Sequence, residues 1–247
     1  GATLNVTISP AVTANHSKVS TLAASVPGNI TGAIEGTATE LTSITGLSDA
    51  TDVIDFTVTS NSDVADLATI AGDTTKTNIA FSSGKGIADT LGNLISGEAP
   101  KGNLTTALNH LASPPTIALT TVVLSSDNDI KDFNALTALT TGGVTGQLTD
   151  NNGQYLLATT GGGVTAPSTS ADDNITFAYG SAVTSSTPKI TKLLSNADLA
   201  GTTTFTGTIT GITSAQATSI GDKASLNAGG SGHNTSSLNL TVADALG

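Results

Sequence analysis

Three aspartate-bearing stretches hold the residues best suited to chemistry: Asp127-Asn128-Asp129, Asp150-Asn151-Asn152-Gly153 and Asp172-Asp173-Asn174. Calcium takes roughly six to eight oxygen ligands from carboxylates, carbonyls and water in a tight turn. Asp127, Asp129, Asp150, Asp172 and Asp173 are therefore the candidate metal ligands, and calcium is the one cofactor their chemistry suggests. None of the stretches completes an EF-hand loop, and turn or helix-cap chemistry accounts for every one of these residues. Asp63, Asp66 and Asp89 fall in or near the first turns of predicted helices, where the helix dipole favours a carboxylate.

Other chemical signals are thinner. His16, His110 and His233 are far apart, and no pair has metal-ligand spacing. Ser82-Ser83-Gly84-Lys85-Gly86 has the glycine and lysine of a phosphate cradle, but it lacks the Gly-Lys-Ser/Thr ending and the upstream glycine, so it reads as a turn. Asn-x-Ser/Thr triplets mark Asn5, Asn15, Asn29, Asn103, Asn174, Asn234 and Asn239 as glycosylation acceptors. A chain this rich in Ser and Thr produces roughly five such triplets by chance, so their number alone does not establish glycosylation. No residue is singled out as catalytic, and the chain reads as a non-enzyme. A polysaccharide lyase or hydrolase needs clustered charges on one face, and charge here is sparse.

The chain has 247 residues, 8 Lys and Arg against 19 Asp and Glu, a net charge of −11, and no Cys, Met or Trp. Nucleic acid is excluded as a partner, because phosphate binding needs clustered cations and these are scattered singly. No run of about 18 apolar residues predicts a membrane span. Charged residues make up only 11% of the chain, which argues against a self-repelling disordered polypeptide. Without Met, and with Gly1 first, the chain reads as a processed protein or an excerpt from a longer one.

The elements that would carry these residues are written most clearly in VIDFTVTSNSDVADLATIA, Val53 to Ala71. Ile54, Phe56 and Val58 alternate as in a half-buried strand, and Val64, Leu67, Ala68 and Ala71 follow with helical spacing. Ser62 or Asp63 can cap that helix and Gly72 can end it. Similar alternation recurs near Val6, Ile34, Phe81, Thr121, Gly146, Phe177, Gly207 and Leu240, at intervals of about 25 to 30 residues. Thr37-Ala38-Thr39-Glu40 fits a capping box. Pro10 is expected to close the first strand, Ile87, Leu91, Leu94 and Ile95 to form one helix face, and Pro188 to open a helix that buries Ile190, Leu193, Leu194 and Ala197.

Strands joined through helices run parallel. The predicted fold is therefore α/β, a parallel β-α solenoid of about 25 to 30 residues per unit, with all-β sandwich modules as the alternative. Residues 1–247 are expected to form one repeat-built domain, with a weak boundary in the glycine-rich loop at about 161–171 and a helix inserted at about 97–116. Such a stack leaves edges at its ends, near Val6 and Ile8 and near Leu238 and Leu240, and open edges recruit further strands.

The wording TVTSNSDVADLATIAGDTTKTNIAFSSGKGIADTLGNLI resembles the strand-helix repeats of large bacterial surface and secreted proteins, including cyanobacterial cell-surface and S-layer-like proteins. The resemblance implies an exported, extracellular repeat protein with a structural or adhesive role. It transfers no functional positions, and the G-G-x-G-x-D calcium repeat that often accompanies such proteins is missing. The first expectation is a self-assembling subunit or segment of a surface layer or filament, a homo-oligomer or polymer. The alternative is an adhesin or fibre domain that binds cell-surface polysaccharide on its flat Thr-rich face.

Overall fold

The computed structural model describes residues 6–12, 16–26, 28–47, 52–72, 78–151, 153–156, 165, 167–179, 183–184, 202–215, 217–218 and 233–242. In chain order the elements begin with β1 (Val6–Val12), α1 (His16–Ser25), β2 (Ile30–Gly36), α2 (Ala38–Leu41), β3 (Val53–Val58), α3 (Val64–Gly72), β4 (Asn78–Phe81) and β5 (Ile87–Asp89). Next come α4 (Leu91–Leu94), β6 (Ile95–Ser96), β7 (Ala99–Pro100), α5 (Gly102–His110), β8 (Ile117–Leu119), β9 (Val122–Val123) and α6 (Asp127–Leu139). The last are β10 (Val144–Thr149), β11 (Asn174–Ala178), β12 (Val183–Thr184), β13 (Thr202–Ile212) and β14 (His233–Val242). The fold is mixed α/β with largely parallel sheets. The predicted helix over 190–197 lies outside the described residues.

The chain forms two compact units. In the first, residues 1–89 and 100–117, strands β1-β2-β3-β4 pair side by side in chain order, all parallel. Thr31 stands opposite Val53, and Asp55 opposite Asn78. The alternation read from the sequence is the burial pattern of β3: Ile54, Phe56 and Val58 are buried, Val53 and Asp55 exposed. Ile34, Phe56 and Ile79 meet in one inward row, and α3 buries Val64, Leu67, Ile70 and Ala71. Burying a side chain of that size stabilises the fold by roughly 1.5–3 kcal/mol.

In the second unit, residues 90–99 and 118–247, β10, β11, β13 and β14 are parallel neighbours in that order, with β9 beside β10 and β12 beside β13. Leu148, Phe177 and Phe205 share an inward row, and the two rings lie 5.3 Å apart at a tilt of 31°. Gly207 continues β13 at φ 105°, and a Cβ there would sit 2.3 Å from the Tyr179 carbonyl oxygen, so a larger residue would force the strands apart. Helix α6 buries Ile130, Phe133, Leu136 and Thr137, and Leu139 near its end is exposed.

Three local expectations are corrected. β1 runs through Pro10 to Val12, and its register against β2 shifts between Ile8 and Val12, which accommodates a residue with no N–H to give. Ile87 lies in β5 and bridges Ser62, so the helical face proposed for it reduces to the single turn of α4. The strand expected around Thr121 is two short pieces, β8 and β9.

Candidate functional surfaces

Buried carboxylates join neighbouring strands. Asp52 stands just before β3, in line with the first residue of β2, and its Oδ1 accepts the Ile30 N–H at 2.7 Å. Asp173 stands just before β11, in line with the first residue of β10, and accepts the Val144 N–H at 2.6 Å on one oxygen and the Ser170 N–H at 2.6 Å on the other. Asp89 accepts the N–H of Val64, the first residue of α3, at 3.1 Å. All three side chains are buried, at 3%, 2% and 7% exposure, so each carboxylate answers a donor that water does not reach. The mark in the sequence was an aspartate abutting an alternating run, as in Asp52-Val53 and Asp173-Asn174.

The calcium candidates lie at separate places. Asp150 is buried and accepts the N–H groups of Gln154, Tyr155 and Leu156. Asp129 accepts from the Ser125 and Ser126 N–H groups and closes the capping box of α6. Asp127 accepts the Thr165 N–H at 2.7 Å and pairs with Lys131 at 3.3 Å. Asp172 is exposed in the turn before β11. Among the described residues no three His, Cys, Asp or Glu side chains converge as a metal site.

Of the sequons, Asn103, Asn174 and Asn239 are exposed and Asn29 is half-buried. Asn5 and Asn15 lie outside the described residues, and Asn234 is placed only by its backbone in β14. Residues 82–86 form the link from β4 to β5, where Lys85 N–H returns to the Ser82 carbonyl, beside an open cleft of about 220 Å³ that Pro114 and Pro115 also line. His16 is buried against the Glu35 carbonyl.

Both edges expected from the sequence lie in strands. Val6 and Ile8 lie in β1, which pairs through one side with β2; Leu238 and Leu240 lie in β14, which pairs through one side with β13. Among the described residues neither has a strand on its other side. β1 carries Pro10, whereas β14, HNTSSLNLTV, has neither proline nor any Lys, Arg, Asp or Glu.

The outward sheet faces differ in chemistry. In the second unit Thr145, Asn174 and Thr202 form one row and Gln147, Thr176 and Thr204 the next. In the first unit the rows are Ala33, Asp55 and Asn78, then Glu35, Thr57 and Ala80.

Among the described residues three groups titrate away from their ordinary values. Hydrogen bonds from the Thr37 backbone and then its hydroxyl lower Glu40, with a smaller contribution from His16. Burial, then the neighbouring charge of Asp63, raises Asp66. Burial and the nearby Asp150 raise Tyr179, whose buried hydroxyl has no hydrogen-bond partner among the described residues. Compared with known protein families, with characterised proteins and with solved structures, the chain matches none of them.

Proposed function

We propose that the chain is a structural extracellular protein, a subunit or segment of a surface layer or filament, whose strand-helix units stack as a parallel solenoid. The observation that carries this reading is β14, a strand of 10 residues with one side unpaired among the described residues and no charge or proline to block it. An edge of that kind is a template for another strand. β1 of a second copy suits it, because a parallel addition continues the pairing used between β1 and β4 and between β10 and β14. The contact is heterologous, joining unlike surfaces, so it propagates into open fibres unless the rotation closes a ring.

Placing Lys at Asn239 and Thr241, both exposed on β14, tests the proposal. The unmodified chain is expected to form filaments or sheets under electron microscopy and to sediment as a concentration-dependent series. The double variant should sediment as a monomer with an unchanged melting temperature. A native chain that stays monodisperse at its highest attainable concentration overturns the proposal.

A further inference from the structure

The two edge strands each turn particular backbone groups outward. In the first unit the Val6 N–H donates to the Asn29 carbonyl at 2.9 Å, so Val6 directs its backbone groups toward β2. Successive residues of a strand direct theirs to opposite sides, which leaves the Thr7 N–H and C=O on the free side of β1. By the same alternation Pro10 lacks its N–H on the β2 side, where the register shifts, and not along the free edge. In the second unit the Thr206 carbonyl accepts the Tyr179 N–H on the β11 side, so Gly207 faces β14. Leu238 stands opposite Gly207 and Leu240 opposite Ile209. In a parallel pair the residue opposite one that faces the ladder faces away from it, so Leu238 and Leu240 direct their backbone groups to the free side of β14.

The apolar rows run out at the same two edges. Ile209 and Ile212 are fully buried on β13, whereas Leu238, Leu240 and Val242 on β14 are only half-buried. Ile30 is 1% exposed on β2, whereas Val6, opposite it on β1, is half-buried. On the proposal that copies stack through β14 and β1, we infer the register of the joint: Val6 of one copy lies opposite Leu238 of the next, and Ile8 opposite Leu240. The Thr7 N–H then donates to the Leu238 carbonyl and the Leu240 N–H to the Thr7 carbonyl, and Val6 extends the row of Leu238 into that of Ile30. Outward, Asn239 meets Thr7, whose hydroxyl already lies 3.3 Å from that of Thr31. A slip of one residue would turn the apolar side chains of one strand to the wrong face, and a slip of two toward the end of β14 would leave Leu238 uncovered. Two β14 edges meeting in parallel would both offer the groups of Leu238 and Leu240, and could bond only at a one-residue offset that puts their apolar sides on opposite faces.

The full chain has no Cys, so introduced thiols report the joint directly. Combining Thr7→Cys with Asn239→Cys, both at exposed positions, sets the two thiols on strands about 4.8 Å apart, within the Cα separation of about 4.4–6.8 Å that a disulfide spans. Under mild oxidation this double variant should give a covalent ladder of multimers on a non-reducing gel. Combining Thr7→Cys with Thr241→Cys sets them about 8 Å apart and should give several-fold less. A stronger ladder from the Thr241 pair than from the Asn239 pair overturns the register while the filaments themselves persist under electron microscopy. A covalent dimer of Asn239→Cys alone also overturns it, since β14 would then pair with its own copy, as does a disulfide that closes within one chain. A native chain that forms no filaments overturns the stacking proposal itself, and the register with it.

Discussion

In the β1–β4 sheet the inward row is Ile34, Phe56 and Ile79; in the β10–β14 sheet it is Leu148, Phe177 and Phe205, and every one of these side chains is at most 1% exposed. Both sheets also use an aspartate in line with the first residue of the preceding strand, Asp52 for Ile30 and Asp173 for Val144. Outward, the likeness ends. The first sheet presents Glu35, Asp55 and the 37%-exposed Val53, with the Asn78 side chain donating to Asp55 at 2.9 Å. The second presents uncharged hydroxyl and amide side chains. Inward positions must satisfy a shared core and all the backbone donors beside it, so they converge; outward positions answer only to solvent and partners, so the difference between the sheets points to where function diverges.

The largest expected effect probes the shared interior. Phe56→Ala and Phe177→Ala should each destabilise the chain by about 3–5 kcal/mol in urea unfolding, since both leave a cavity in a fully buried row. Phe177→Leu should cost more than Phe56→Leu by about 0.5–1.5 kcal/mol, because among the described residues Phe177 alone of the two has a ring against it. Equal costs for the two leucine variants would mean that the tilted ring pair adds nothing beyond burial.

Next in size is the carboxylate joining strands. Asp173→Ala strands the buried N–H groups of Val144 and Ser170 and should cost about 2–5 kcal/mol. Asp173→Asn keeps one acceptor oxygen and should cost less. Asp52→Ala should act in the same direction in the first sheet. An alanine variant at Asp173 that is no less stable than the asparagine one would show that the hydrogen bonds there are replaceable by water.

How much of this was legible depends on whether a signal was local. Alternation announced β3, β11 and β13, and the Thr37-to-Glu40 spacing announced a capping box that forms with both of its hydrogen bonds. Ile87 misled because its distance to Leu91 and Leu94 matches a helix face, whereas its partner Ser62 lies 25 residues back and leaves no mark at short range. An aspartate abutting an alternating run marks the positions of Asp52 and Asp173, but the donor that each of Asp52, Asp89 and Asp173 serves is equally remote. Each role is set by a donor 22 to 29 residues earlier in the chain, so from its own neighbours Asp173 read as a metal ligand and Asp89 as a helix-dipole residue. Strand order, and with it the contrast between the two outward faces, follows from pairings of that same long range.

The smallest expected effect belongs to the charged exterior of the first unit, where acid should pull two carboxylates in opposite directions. Glu40 is held below its ordinary 4.5 by Thr37, so its contribution is fully present above 4.5 and is lost as pH falls through the lower folded value. The stability of Glu40→Gln should therefore lie below that of the native chain at neutral pH and meet it in acid. Asp66 is raised above its ordinary 3.8, so its charged form weakens the fold, and that penalty disappears as pH falls through the raised folded value. Asp66→Asn should accordingly lie above the native chain at neutral pH, by a margin kept small because the carboxylate is partly in solvent. Melting temperatures of the three proteins across the acid range separate the two signs; a pair of variants shifted in the same direction would show that α2 and α3 feel the overall charge of the chain more than the local bonds at Thr37 and Asp63.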